Sequence, residues 1–317
     1  MSEKTEVKNK KLKDIFSKDL FKGEVKFMEP MKNHTSLRIG GPADVFVVPQ
    51  DLPSLMNIKK NLKNRRIPFF PIGGGTNILV KDGGIEGMVI SSKFFRRIEI
   101  FSKNEAYVNL NVESGTPLQR LVNFSKEQGY SGVEGLTGIP GTVGGAICGN
   151  AGAFGYEIKD VLIAVEIIGD KGKTEKVKAE KIDFGYRNSS ISSEQLISSA
   201  EIRLRRDTRE RVSAKTDDFL KIKRERQPLW EPSAGCVFKN PPGTSAGKLI
   251  EEAGCKGMRT GDVEVSNIHT NFFINIGNAK ASDFITLMET VAQKVEEISG
   301  IVLVPEIKIV GRDEVQN

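Results

Sequence analysis

Residues Gly132 to Gly155 read GVEGLTGIPGTVGGAICGNAGAFG and hold nine glycines in twenty-four positions. Glycine lets backbone come close to a ligand and adopt positive φ. A loop that turns through positive φ and brings bare main chain against a ligand tolerates that density well. A second glycine run, PIGGGTNIL, lies upstream at Pro71 to Leu79. Consecutive loop amides can converge on an anion such as a pyrophosphate. Two such loops on one chain predict a cofactor held from both sides by main chain.

The usual nucleotide motifs do not account for these loops. Neither contains GxGxxG, so a Rossmann site is not supported. Pro242 to Leu249 (PGTSAGKL) resembles a P-loop, but its glycine spacing is one residue short. Leu249 also stands where Ser or Thr should bind magnesium. That segment reads as a glycine-bearing helix start. For GGGTN alone, strand-to-turn punctuation and a phosphate cradle stay equally open; the pair of loops favours the ligand.

The 317 residues leave room for two or three domains, and 38% apolar with 28% charged residues is ordinary for a soluble globular chain. No apolar run is long enough to span a bilayer, so no membrane insertion is expected. The charged start MSEKTEVKNKKLKDIF lacks the apolar core of a secretory signal, which predicts a cytoplasmic protein. Cys148, Cys236 and Cys255 form no CxxC pair and are expected as free thiols. His34 and His269 fit no zinc motif, so no metal is expected. Of the net charge of +6, residues 1–26 supply +3, from eight lysines against five acidic residues. This stretch reads as a solvated, partly helical extension. It lacks the aromatic interleaving of a nucleic-acid arm, and no nucleic-acid partner is expected. The charge on the body suits an anionic small-molecule substrate, and the chain is expected to act as a monomer.

Ala43 to Pro49 reads as a strand, followed by Asp51 as the N-cap of a helix bearing Leu52, Leu55, Met56 and Leu62 at helical spacing. Pro68 to Ile72 and Gly87 to Ile90 are further strands of this α/β unit. Ala106, Val108, Leu110 and Val112 alternate with polar residues as in a half-buried strand. Thr116 then caps a helix with Pro117 at its first position and Gly129 past its end. Asp160 to Ile168 and Gln195 to Arg205 are strand-like. Lys215 to Gln227 predicts a charged surface helix. A helix near Ser245 to Ala253 follows. Another, Ser282 to Ser299, aligns Ile285, Met288, Val291, Ala292, Val295 and Ile298 on one face before Gly300. Ile301 to Val310 predicts a last strand. The expected divisions are a basic N-terminal extension over 1–26, two units over 27–93 and 94–210, the latter joined by 303–317, and a further unit over 211–302.

Six segments occur in family order: NHTSLRIGGPAD (Asn33 to Asp44), PIGGGTNIL, GLTGIPGTVGGAICGNAGAFG, GYRNS (Gly185 to Ser189), PSAGCVFKNP (Pro232 to Pro241) and VPEIKIVG (Val304 to Gly311). Together they resemble the UDP-N-acetylenolpyruvoylglucosamine reductase family over residues 27–311. The resemblance implies an α+β fold: the FAD-binding fold of the vanillyl-alcohol oxidase type, with two α/β subdomains, plus a C-terminal α+β substrate-binding domain. That last domain resembles the shorter type, which lacks an extra tyrosine-bearing loop. The implied reaction is NADPH-dependent reduction of UDP-N-acetylglucosamine enolpyruvate to UDP-N-acetylmuramate, in peptidoglycan precursor synthesis. The implied cofactor is non-covalent FAD, with NADPH as co-substrate.

By motif, the resemblance places Gly73, Gly74, Gly75, Thr76 and Asn77 against the FAD pyrophosphate. Thr137, Gly138, Ile139, Pro140, Gly141, Thr142, Gly144 and Gly145 would face them, and Gly149, Asn150 and Ala151 would lie near the flavin ring. Lys239 and Asn240 would contact substrate, with Arg224 as a diphosphate candidate and His269 and Asn271 lining the pocket. His34, Cys148 and Cys255 read as structural. Arg187 and Glu306 would stabilise the enolate that forms on hydride addition, and Cys236 would donate the proton.

Each of these three has a plainer alternative. Arg187 suits a carboxylate but also a surface ion pair. Glu306, on a predicted strand with Val302, Val304 and Val310, has an apolar setting that would raise its pKa, or it pairs with Lys308. Cys236 departs from the family's usual serine and would otherwise be a small buried hydrophobe. A thiol has a reference pKa of about 8.5. Lys239 and Arg187 would lower that and hold a thiolate, which cannot donate. Activity is therefore expected to fall on the basic limb as Cys236 ionises. Two rivals remain open here: another FAD oxidoreductase of the same fold, and a catalytically idle UDP-sugar-binding protein.

Overall fold

The structure, a computed structural model, describes residues 14–17, 19–191 and 194–314. Residues 1–13 of the expected basic extension lie outside the described residues. Among its described residues the extension packs on the protein: Ile15 and Phe21 are buried, and a strand begins at Gly23.

The first unit is a four-stranded sheet in the order Gly23–Pro30, Pro42–Pro49, Ile85–Ser91, Phe69–Ile72, antiparallel at the first pairing and parallel at the others. Pro42–Pro49 is almost continuously apolar because both of its faces are covered. Helix α1 (Leu52–Arg65) covers one face with Leu55, Ile58 and Leu62. The Asp51 carboxylate accepts from the Ser54 amide at 2.9 Å, the expected cap.

The second unit is a six-stranded antiparallel sheet. Thr174–Lys178, Leu162–Ile168, Leu196–Arg206, Tyr107–Glu113 and Ile98–Lys103 run in that order, and Tyr130–Ser131 pairs with the end of Leu196–Arg206. Val108, Leu110 and Val112 point into the core as their alternation predicts. Helix α2 (Leu118–Gln128) ends at Gly129 with φ 68°. Its start differs from the expectation. Pro117 is extended (φ −53°, ψ 132°) and occupies the cap position itself, with no side-chain cap. Thr116, placed before a proline, is turned inward and buried. The short helix α3 (Val143–Cys148) begins at Thr142, whose hydroxyl accepts from the Gly145 amide at 3.3 Å.

Helix α4 (Arg209–Arg226) starts well before the predicted Lys215, because Thr208 caps it by accepting from the Arg211 amide at 3.3 Å. The third unit is a four-stranded antiparallel sheet, Ser233–Cys236, Phe272–Asn275, Val263–Val265, Arg259–Thr260, covered by α5 (Ala246–Glu252) and α6 (Ala281–Ser299). On α6 the buried stripe is Phe284, Leu287, Met288, Val291 and Val295. Ile298, expected on that stripe, is 64% exposed because the core ends one turn earlier.

The last expected strand is shorter than predicted. Only Lys308–Val310 is a strand, and 301–307 crosses irregularly with a single bridge between Phe238 and Pro305. Lys308–Val310 pairs in parallel with Ile78–Val80, inside residues 27–93, and not with the sheet of residues 94–210. Val302 and Val304 are more than half exposed as a result. Among the described residues no helix is long and apolar enough to cross a membrane.

The first unit also caps the third. Asp82 accepts from the amides of Ala281 and Ser282 at 2.8 and 2.9 Å, supplying the N-cap that Lys280 cannot. Asp82→Ala should cost about 1–2 kcal/mol, read as a lower urea midpoint. An unchanged midpoint would count against this cap.

Candidate active site

The two glycine loops meet. Thr76 Oγ1 donates to the Pro140 carbonyl at 3.2 Å. A Cβ added to Gly74 would sit 3.0 Å from Gly141 Cα, and one on Gly73 would press into the Thr142 hydroxyl at 2.2 Å. These glycines are required by the approach of one loop to the other. Gly145 and Gly149 are different: neither has positive φ, and an added Cβ would meet nothing closer than 3.5 and 3.6 Å respectively. Packing does not demand glycine there, although it costs a helix about 1 kcal/mol relative to alanine. The bare backbone at these two positions leaves room for a ligand. Close by in sequence, Thr137 Oγ1 and Asn150 Oδ1 are buried with no hydrogen-bond partner among the described residues. A group with polar edges that enters along these loops would supply such partners. The cradle therefore fits a flat dinucleotide cofactor.

A second cluster joins the three units. Arg187 occupies the turn of the hairpin Phe184–Gly185/Asn188–Ser189 with φ 55°, an uncommon conformation for a residue with a side chain. Its Nη2 donates to the Gly152 carbonyl at 2.6 Å, and its Nε meets Glu306 Oε1 at 3.2 Å. Both partners are largely buried. Burial pushes the Glu306 carboxyl above its usual range, with Arg187 and then Lys239 pulling it back. Glu306 thus pairs with Arg187, not with Lys308.

Cys236 ends the strand Ser233–Cys236 beside this pair. Burial, reinforced by the Glu306 carboxylate, pushes its thiol up to about 12, against smaller opposing effects of Arg187, Asn271 and Lys223. The expected thiolate is therefore overturned. Sequence proximity to cations is outweighed by loss of water and by a facing carboxylate. Asn271 is buried and braces the chain after Cys236, exchanging bonds with Phe238 N at 2.9 Å and Phe238 O at 2.8 Å.

Lys223 was not evident as a site residue from the sequence. It projects from α4, is buried, and donates to the Thr137 carbonyl at 2.7 Å. Burial, then the Arg187 charge, lowers its ammonium to about 8, with Cys236 acting the other way. The neighbouring Arg224, singled out from sequence, lies exposed on the helix. The signal that separates them is phase, since Val212, Thr216 and Lys223 form the buried side of α4.

The other expected residues are less uniform. Lys239 is near enough to Glu306 to influence its charge. Asn240 spends its carbonyl oxygen on the Ala246 amide at 3.0 Å, at the start of α5. His269 packs on Phe272 with ring centroids 4.9 Å apart, accepts from the Asn271 amide at 3.2 Å, and has its pKa lowered by burial. Asn77 donates to the Glu306 carbonyl at 3.4 Å, so part of its side chain is committed within the protein. His34 is structural, bonded to Glu29 at 2.8 Å and stacked on Phe46. The three cysteines are free, and no metal-binding group of three or more His, Cys, Asp or Glu occurs among the described residues.

Residues 43–178 match the family described as FAD binding domain, and residues 227–310 match that described as UDP-N-acetylenolpyruvoylglucosamine reductase, C-terminal domain. A protein of Syntrophus aciditrophicus named UDP-N-acetylenolpyruvoylglucosamine reductase is 39% identical over 306 residues, covering 95% of this chain and 98% of its own. One of the same name from Caldanaerobacter subterraneus is 41% identical over 302 residues, covering 95% and 97%. The crystal structure of the Thermus caldophilus reductase superimposes with a TM-score of 0.77 at 32% identity, over 91% of this chain and 99% of that one.

The open space at Gly145 yields a test. Gly145→Ala should leave the FAD-free protein as stable as the wild type or slightly more so, by up to about 1 kcal/mol. Its FAD dissociation constant, measured by flavin fluorescence, should rise by about tenfold or more. Unaltered FAD affinity would mean that no ligand approaches this backbone.

Proposed function

The chain belongs to the UDP-N-acetylenolpyruvoylglucosamine reductase family, and on that premise we propose how its residues carry out an FAD-dependent, NADPH-consuming reduction of UDP-N-acetylglucosamine enolpyruvate. The observation that carries the reading is the convergence of Arg187, Glu306 and Cys236, from three segments, beside the glycine cradle. FAD, when bound, passes hydride from NADPH to the enolpyruvyl double bond. Gly73 to Thr76 and Thr137 to Gly145 would hold its pyrophosphate, and Gly149 to Ala151 would lie by its ring.

Hydride addition drives negative charge into the substrate carboxylate. Arg187 supplies a fixed cation there, held by Gly152. Glu306, its carboxyl raised by burial against the pull of Arg187 and Lys239, holds the Arg187 Nε at 3.2 Å and so aims that cation at the same oxygens. The Cys236 thiol donates its proton to the adjacent carbon, and solvent returns one to the sulfur. Burial and the facing Glu306 act against ionisation of the thiol, so cysteine in place of the family's usual serine keeps a proton to give. Lys223 adds positive charge for an anionic substrate. We assign residues 27–93 and 94–210 to the cofactor and 211–302 to the substrate. One chain supplies every group, in keeping with a monomer. NADPH and UDP-sugars are its soluble small-molecule partners, in keeping with a cytoplasmic enzyme.

The test is spectroscopic. Purified protein should show an oxidised-flavin spectrum that bleaches with NADPH under anaerobic conditions and returns on adding UDP-N-acetylglucosamine enolpyruvate. Bleaching without return would remove the substrate assignment, and folded protein that takes up no FAD would remove the whole reading.

A pH profile separates Lys223 from Cys236. The ammonium is charged below about 8 and neutral above it, so kcat/KM should fall above that pH. Cys236→Ser should keep this basic limb, whereas Lys223→Arg should move it beyond pH 10. Loss of the limb in Cys236→Ser would reverse the assignment.

A further inference from the structure

The cofactor loop is tied to the protonation site by a closed circuit of hydrogen bonds that includes one residue with no role so far. Ser36 donates its amide to the Gly75 carbonyl at 3.0 Å and its hydroxyl to the Ser233 carbonyl at 2.6 Å. Ser233 opens the strand that ends at Cys236. The next residue, Val237, accepts from the Glu306 amide at 2.7 Å. The Glu306 carbonyl in turn accepts from Asn77 at 3.4 Å, and Asn77 lies two residues beyond Gly75. The ring is therefore Gly75, Ser36, Ser233 to Val237, Glu306, Asn77 and back.

The strand inside this ring is irregular. Ser233 faces Ile274 and Cys236 faces Phe272, so the strand carries one extra residue, and Gly235 within it has φ 77°. Such a bulge re-aims a side chain but weakens the ladder that would otherwise hold the strand. The carbonyl at its start is held by the Ser36 hydroxyl. On its other side Ser36 is rigidly seated: a Cβ on Gly75 would lie 2.1 Å from the His34 carbonyl, and Asn275 donates to the Leu37 carbonyl at 2.9 Å.

We propose that Ser36 is a positioning residue for the protonation step, its hydroxyl setting the bulged strand that carries Cys236 against the cofactor loop. This rests on the assignment of Cys236 as proton donor. The hydroxyl also lies 3.4 Å from the Gly75 carbonyl, but that oxygen already takes the Ser36 amide at 3.0 Å, a shorter bond that survives removal of the hydroxyl and keeps the cofactor loop supported. Hydride entry and proton delivery are thereby separable.

The experiment compares wild type, Ser36→Ala and Ser36→Thr. In Ser36→Ala, FAD affinity and flavin reduction by NADPH should stay within about twofold, while reoxidation by UDP-N-acetylglucosamine enolpyruvate slows about tenfold. The solvent deuterium isotope effect on reoxidation should grow, and Ser36→Thr should restore both. In FAD-free full-length protein, iodoacetamide should label Cys236 of Ser36→Ala about threefold faster than in wild type, with Cys148 and Cys255 unchanged. Reoxidation and labelling both at wild-type levels would overturn the proposal. So would a loss spread evenly over FAD binding, reduction, reoxidation and all three thiols, which marks a general folding role. If wild type itself is not reoxidised by the sugar nucleotide, the substrate reading fails alone, and the labelling comparison still decides Ser36.

Discussion

Arg187 meets Glu306 at 3.2 Å where little water reaches either group. A charge in such a place is tolerated only with a partner, and the partner must arrive in the right geometry. Much of the surrounding backbone follows from that demand. The hairpin turn puts Arg187 into a left-handed conformation that an arginine would not choose on its own. The Gly152 carbonyl takes the far side of the guanidinium. The segment bearing Glu306 gives up strand regularity to reach the pair, and its exposed valines are the visible result. The same cation acts on the thiol of Cys236 and the amine of Lys223. The titrations of Glu306, Cys236 and Lys223 are thus linked through this cation, and removing Arg187 would shift all three.

The exchange of hydroxyl for thiol looks, from sequence alone, like a hazard. A free cysteine loses its proton far more readily than a serine, and cations nearby make that worse. The structure resolves the difficulty through surroundings, not through the residue itself. Desolvation and the Glu306 carboxylate act together against a negative sulfur. The donor stays loaded, and its chemistry is set by the pocket walls.

What could be read from the sequence was local. The cap at Asp51, the stop at Gly129 and the alternation of Val108, Leu110 and Val112 each depend on neighbours within a few residues, and each is seen. The six motifs named the family, but the longer glycine stretch, read as a loop, carries the helix Val143–Cys148. What was not legible depends on partners far along the chain. Val302 and Val304 have strand spacing, yet among the described residues this stretch makes only an isolated bridge, Phe238 to Pro305, with Lys239 N donating to the Val304 carbonyl at 2.8 Å. Arg224 and Lys223 are adjacent cations, and only the docking of α4 decides which is buried. The helix start at Ala281 is fixed by Asp82, about which a local window carries no information.

The parallel pairing of Lys308–Val310 with Ile78–Val80 has a consequence for how the protein is made. The strand that extends the cofactor loop finds its neighbour only after every residue of the third unit has been synthesised. During translation at roughly 5–20 residues per second, Ile78–Val80 would wait many seconds for this neighbour. A nascent chain in that interval can collapse its separate cores, but the segment that follows the Gly73 to Asn77 loop stays without its parallel neighbour, and a chain cut before Lys308 never gains it.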